Sequence, residues 1–395
     1  MPIGDTPPAG WTSFISTGTA GTLPAEQPAA TGLLASDTAM WAIVFAGGIG
    51  SRFWPLSSPQ RPKQLLRLVG ERPLIAETVA RLHPLVPSER TLVVTSADIA
   101  GAIHAAIPEI PLANMLVEPR PLGTAAALAW GAREVARRAG PNALLCALHA
   151  DLAVSFPESF RHSLRQAAAV AAREELVISI GVRPSRPEVG FGYLVVGEPL
   201  AADFPLSAGG PAMVTRFVEK PDAAAAASLC SDGALWHSGV ALARANVLLD
   251  ALRTHTPEVA AILDAMDLRE LDELATQVRS VSAERGLLER LDSMVVVPGE
   301  FGWDDVGTWA SLRRARDLDD DGNGAIGDVH FVDASGNVVH AEQSTVVLYG
   351  VEGLLVVTLP GLTFVTTLDR AAELRPMIER LPDALRAYPP APERP

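Results

Sequence analysis

Chemistry on phosphates is suggested first by the stretch Phe45-Ala-Gly-Gly-Ile-Gly-Ser-Arg-Phe-Trp-Pro-Leu-Ser57, followed closely by Arg61-Pro-Lys-Gln64. Gly47, Gly48 and Gly50 carry no side chains, so backbone N–H groups there can approach a phosphate closely. Arg52 adds a permanent cation and Lys63 a second. Two familiar phosphate loops are excluded. The dinucleotide fingerprint G-x-G-x-x-G fails because Phe53 stands at its last glycine, and no G-K-[ST] ending marks a Walker A loop. A plain turn would not need three glycines, an arginine and a downstream lysine together.

A second stretch, 118–127, begins with Glu118 and runs through Gly123 and Thr124 into an alanine-rich segment. Glycine and threonine at a helix start suit a place where backbone groups read the edge of a base; a simple N-cap at Thr124 is the structural alternative. Asp151 falls just past an apolar run ending near Leu148, and ligands of parallel α/β sheets gather at the carboxyl ends of strands.

These residues need a scaffold, and the apolar pattern supplies one. Short buried runs at 41–45, 91–95, 115–117, 143–148 and 176–181 read as strands. Helical patterns at 74–82, 124–138 and 157–173 lie between them. The alternation predicts an α/β domain with a mostly parallel, Rossmann-like sheet. Shorter strands and frequent turns over 189–240 read as an antiparallel insertion, with helices after it at 244–254 and 258–276. Beyond 328 come closely spaced β segments at 329–332, 337–340, 345–349, 354–359 and 363–367, then a helix near 370–380. A small C-terminal β domain, a short β-helix, fits that spacing. The expected division is a flexible extension over 1–38, a catalytic domain over 39–322 and the β domain with its helix over 323–395.

The motifs together resemble those of the mannose-1-phosphate guanylyltransferases among sugar nucleotidyltransferases. Ala46-Gly-Gly-Ile-Gly-Ser-Arg52, Trp54-Pro-Leu-Ser57 and Pro62-Lys-Gln64 carry the likeness, which runs from about 41 to 380. It implies a nucleotide-diphospho-sugar transferase core followed by a β-helical domain, and no extra isomerase domain of the kind that longer bifunctional relatives have. By the same resemblance Ala46, Gly47, Gly48, Gly50, Ser51, Glu118, Gly123 and Thr124 bind nucleotide, although the family usually has Asn where Gly123 stands. Arg52 and Lys63 hold the triphosphate. Lys220, in Phe217-Val-Glu-Lys-Pro221, holds the sugar phosphate, and Glu219 accepts from sugar hydroxyls. Gly190 and Gly192 fall in a sugar-contacting Gly-Phe-Gly-Tyr segment. His237, in Trp236-His-Ser-Gly239, replaces a sugar-binding Asn. Asp151 and Asp305 match the two Mg²⁺ ligands, in His149-Ala-Asp-Leu152 (Pro-Ala-Asp-His in the family) and Gly302-Trp-Asp-Asp-Val-Gly-Thr-Trp309. Glu284 stands where the family has Asp, and Trp303 and Trp309 read as packing residues.

The implied reaction is GMP transfer from GTP to mannose 1-phosphate. The alternatives are another sugar 1-phosphate such as a manno-heptose, or a non-catalytic nucleotide-sugar-binding subunit. Bulk properties agree with a small-molecule enzyme. The formal charge of −14 over 395 residues disfavours nucleic acid as a partner. Two cysteines without C-x-x-C spacing point to neither a disulfide framework nor zinc, which fits a reducing compartment. No membrane span and no secretory leader are expected, so the expected location is cytoplasmic. A homodimer through the C-terminal domain is a candidate assembly.

Overall fold

The structure, a computed structural model, describes residues 39–48, 53–58, 61–200, 210–265, 271–316, 318–386 and 388. The expected N-terminal extension lies outside these residues, as do Gly50, Ser51 and Arg52.

Strand β1 (Trp41–Phe45) shows why the apolar runs are continuous. Ala42 and Val44 enter one hydrophobic core while Trp41 and Ile43 enter another on the opposite face. A strand covered on both sides has no polar face to alternate. The same holds for β2 (Thr91–Ser96) and β4 (Leu144–His149), and β3 (Met115–Glu118) forms the edge. Helices α1 (Leu74–Leu82) and α2 (Ala100–Ala106) supply one core with Ile75, Val79 and Ile103. Helix α3 (Thr124–Ala139) covers the other face with Ala125, Leu128, Ala132 and Val135.

The chain continues through the short β5 (Ala153–Val154), α4 (Pro157–Ala171), β6 (Val177–Val182), β7 (Gly192–Pro199) and β8 (Ala212–Glu219). Then follow α5 (Ala223–Ser231), β9 (Leu235–Arg244), α6 (Ala245–His255), β10 (Met294–Gly299) and the short β11 (Trp303–Asp304). Nine strands form one sheet in the order β3-β2-β1-β4-β9-β6-β10-β8-β7. The half containing β1 to β4 is parallel, and β6 is parallel to β10. The insertion expected over 189–240 supplies β7, β8 and most of β9, and every ladder these make is antiparallel. The sheet is therefore mixed, because β9 runs backwards between β4 and β6.

The order 3-2-1-4 contains a topological switch. From β1 the chain moves outward through β2 and β3, then returns to the other side of β1 as β4. Loops leaving the carboxyl ends of β1 and β4 diverge there and leave a crevice. The glycine loop follows β1, and Asp151 follows β4.

At the C-terminus β12 (Gly324–Val332), β13 (Val338–Tyr349) and β14 (Leu354–Leu359) stack in parallel, and β15 (Leu362–Thr367) closes the sheet antiparallel to β14. Two buried asparagines stitch the coil corners. Asn337 donates to Asn323 Oδ1 from its backbone N at 3.0 Å and its side chain at 2.9 Å, and Leu354 N donates to Asn337 Oδ1 at 2.9 Å. The segments expected at 337–340 and 345–349 are one continuous strand. The helix expected over 370–380 is instead a turn of 3₁₀ helix at Arg370–Ala372 and a short helix at Arg375–Ile378. Pro376 fits only a first helical turn, so no helix can run through it from 370. The helix expected over 258–276 is likewise split into Pro257–Val259, Ala260–Asp264 and Leu271–Ala275. Among the described residues no helix is long and apolar enough to cross a membrane.

A third core joins the β domain to the glycine-loop side of the sheet. Phe53, Leu56, Leu66 and Leu68 share it with Trp309, Leu312, Val338, Leu355 and Val357.

Candidate active site

Two cavities of about 330 and 310 Å³ meet at the switch point and share Thr124, His149 and Asp151. The first is bounded by Gly47, Gly48, Lys63, Glu118 and Gly123, and the second by Gly190, Gly192, Glu219, Lys220, His237 and Asp305. Residues named separately from the sequence thus fall around two adjoining spaces. Among the described site residues Ala46 is the exception: it is buried, and its carbonyl accepts from Gln64 Nε2 at 2.8 Å and Thr95 Oγ1 at 3.1 Å. It anchors the loop rather than lining the cavity.

Glu118 ends β3 and points its carboxylate toward Gly47, with Oε2 3.5 Å from where a Cβ there would stand. Its Oε1 is buried and has no hydrogen-bond partner among the described residues. Burial pushes its pKa up to about 7, against a stabilising hydrogen bond from the Leu122 backbone. An unpartnered acceptor in a cavity wall is suited to a ligand's N–H groups.

Gly123, not Thr124, is the N-cap of α3. Its φ is +90°, and a Cβ would lie 2.5 Å from Val281 O, so the close approach of 280–281 demands glycine. Thr124 uses its hydroxyl to accept from Ala283 N at 2.8 Å, tying α3 to the short helix Ala283–Gly286. The N-cap alternative for Thr124 is therefore incorrect, and Gly123 has a packing reason.

The two carboxylates are brought together by a small ladder. Strands β5 and β11 pair Ala153 with Asp304 and Val154 with Trp303. Asp305 consequently stands beside the end of β4, and both carboxylates reach Lys63 Nζ, Asp151 at 2.9 Å and Asp305 at 3.5 Å. Lys63 is buried in the 3₁₀ turn Lys63–Leu65. Burial works against its charge, but Asp151 and Asp305 outweigh it and hold the ammonium pKa above its ordinary value. Burial likewise opposes ionisation of Asp151, yet Lys63 and His149 keep its pKa low. His149 makes a 3.4 Å pair with Glu284. Burial disfavours the imidazolium, but Glu284, Asp151 and Asp305 together raise its pKa.

In the second cavity Glu219 is only 4% exposed at its side chain and pairs with Lys220 Nζ at 2.9 Å, while Lys220 is 53% exposed. Lys220 has a left-handed φ of 51°, a conformation costly for lysine and common where a side chain is held for function. Gly192 is required by its neighbours, since a Cβ would lie 2.6 Å from Phe217 Cζ and 2.8 Å from Glu219 Oε2. Gly190 has no such clash. His237 is buried, its Nδ1 2.7 Å from Ser179 Oγ, and burial lowers its pKa to about 4. Trp303 lines this cavity and packs edge-on against Phe191 at 5.1 Å, so it is wall as well as packing. Trp309 is buried in the third core. Ser179 escaped sequence reasoning: it lies inside the apolar strand β6 and carries no motif. Glu284 was legible only as a motif variant.

A glycine loop, a lysine and two carboxylates at the switch point of an α/β sheet define a protein that handles nucleoside phosphates. Residues 41–322 match the nucleotidyl transferase family, and the chain belongs to it. Residues 327–381 match a mannose-phosphate isomerase/GMP-like β-helix domain. Among curated proteins, the mannose-1-phosphate guanylyltransferase of Sinorhizobium fredii is 31% identical over 86% of this chain and 67% of that protein. The xanthan biosynthesis protein XanB of Xanthomonas campestris pv. campestris is 31% identical over 87% of this chain and 74% of its own length. A crystal structure described as a mannose-1-phosphate geranyltransferase from Thermus thermophilus aligns with a TM-score of 0.77 and 32% identity, covering 87% of this chain and 99% of that one.

Proposed function

We propose that this chain transfers GMP from GTP to mannose 1-phosphate, giving GDP-mannose and pyrophosphate. The observation that carries the reading is the meeting of two cavities at Asp151, beside a buried lysine shared by two carboxylates. The identity to relatives of that name supports the same substrates.

A phosphate oxygen of mannose 1-phosphate attacks the α-phosphorus of GTP in line. The new P–O bond forms as the bond to the bridging α–β oxygen breaks, and pyrophosphate leaves with the electron pair. The nucleophile is already anionic near neutral pH, so no general base is needed, and catalysis is positioning and charge neutralisation. Glu118 accepts from the two N–H donors on guanine's Watson–Crick edge. Gly47 and Gly48, with Gly50, Ser51 and Arg52, take the triphosphate, and Thr124 lies at the boundary with the sugar. Lys63 neutralises phosphate charge. Lys220 orients the incoming sugar phosphate, and Glu219, His237 and the Gly190–Gly192 backbone meet the sugar hydroxyls.

Asp151 and Asp305 are suited to a divalent cation, because the two carboxylates converge, at 2.9 and 3.5 Å from the same Lys63 Nζ. Among the described residues no cluster of three metal-binding side chains forms a closed cage. Two carboxylates with the remaining positions left to water and phosphate oxygens suit Mg²⁺. Bound there, the ion would supply Lewis-acid neutralisation of phosphate oxygens.

The test is pyrophosphate release by purified protein with Mg²⁺, four nucleoside triphosphates and a panel of sugar 1-phosphates that includes a manno-heptose. GTP with mannose 1-phosphate should give the highest kcat/KM. A preference for UTP or dTTP refutes the nucleotide, another sugar refutes mannose, and binding without turnover makes the chain a nucleotide-sugar-binding subunit.

A further inference from the structure

Lys63 sits at the centre of the site, and the segment that carries it is held by both domains. Phe53 stacks edge-on against Trp309 at 5.2 Å, and Trp54 against Phe364 of β15 at 5.1 Å. Trp54 Nε1 donates to Leu385 O at 3.1 Å. At the far end Arg316 donates to Leu68 O at 2.9 Å and to Val339 O at 3.1 Å, joining segment and β13 through one guanidinium. Between these clamps, Arg61 Nη2 donates to Glu342 Oε1 at 2.9 Å.

The β domain is shaped to make that contact. Ile326 pairs with His340 and Asp328 with Thr345, so β13 carries extra residues at 341–344 and Gln343 turns left-handed at φ 59°. Bulges of this kind re-aim side chains. His340 fixes the carboxylate further. Arg316 Nη2 lies 3.3 Å from His340 Nδ1, and because arginine only donates, Nδ1 must be the accepting nitrogen. Nε2 therefore carries the proton and faces Glu342 Oε1 at 3.4 Å.

We propose that Glu342 is a positioning residue for the transferase reaction: by holding Arg61 it sets where Lys63, two residues on, places its ammonium between Asp151 and Asp305. The β domain then acts on chemistry through the Arg61–Lys63 segment. The proposal rests on the placement of Lys63 at the triphosphate.

The test is a double-mutant cycle with Glu342→Gln and Arg61→Met in the full chain, read as separate kcat and KM for each substrate, with melting temperatures alongside. Each single variant should lose about tenfold in kcat/KM for GTP, as displacement of a catalytic group does, while KM for mannose 1-phosphate moves by less than about twofold. The double variant should lose no more than the worse single, because both changes break one contact. Additive losses, an equal rise in KM for both substrates, or a lowered melting temperature with unchanged kinetics would each overturn the proposal. Should Glu342→Gln fail to fold, Arg61→Met carries the GTP-specific test, since that side chain is 36% exposed. An inactive wild-type protein would instead refute the function proposed above.

Discussion

Replacing Glu118 by Gln tests the nucleotide pocket through two independent readouts. Glu118 is 5% exposed, and burial lifts its pKa from 4.5 to about 7. That climb corresponds to about 3 kcal/mol of penalty on the ionised form. In the unfolded chain the carboxyl ionises near its ordinary value, before the folded one does. Stability therefore falls as pH rises from about 4.5 to about 7 and is level above that. Glutamine cannot ionise, so the variant should match the wild type near pH 4 and exceed its stability by up to about 3 kcal/mol at pH 8. Activity should move the other way. A carboxylate accepts both N–H donors of guanine, whereas the glutamine amide turns an NH₂ toward one of them. Loss of a charge-assisted hydrogen bond costs about 1.5–3 kcal/mol, roughly ten- to a hundredfold in kcat/KM for GTP. Urea unfolding at pH 4 and pH 8, with pyrophosphate release across nucleotides, measures both. A variant less stable at pH 8, with an undiminished preference for GTP, would refute the burial penalty and the base-reading role together.

Asp151→Asn and Asp305→Asn should each abolish turnover at saturating Mg²⁺ while circular dichroism stays native, and near-wild-type rates in either would remove that carboxylate from the mechanism. Lys220→Ala should raise KM for mannose 1-phosphate about ten- to a hundredfold with GTP binding nearly unchanged, as calorimetry with a non-hydrolysable GTP analogue would report. Gly123→Ala should destabilise the fold by about 1–3 kcal/mol in denaturant titration, because the new Cβ would clash with Val281 O at a left-handed φ; wild-type stability would show that 280–281 yields freely.

Much of the site could be read from sequence because its signals are local. The strand β1 is a run of five apolar residues with two glycines one residue beyond it, and that pattern points to a phosphate loop at a strand's carboxyl end. Lys63, Asp151, Lys220 and Asp305 each sit in a short recognisable motif, and the regular alternation of apolar runs announced the α/β domain. The β-rich spacing beyond 328 announced the β domain, although the polar stretch Glu342–Ser344 concealed one long bulged strand. Other features depend on partners far apart in the chain, for which no periodicity exists. Only the fold reverses β9 between β4 and β6, since a strand's direction depends on its connections rather than its composition. Only the β5–β11 ladder sets Asp305 beside Asp151, and only the approach of 280–281 makes Gly123 obligatory. Ser179 against His237, and Glu342 against Arg61, join residues that look ordinary in their own segments. The sequence by itself determined which groups could do chemistry and which element carries each; the distances among them came from tertiary packing, where burial and pairing between remote segments decide what a local pattern cannot encode.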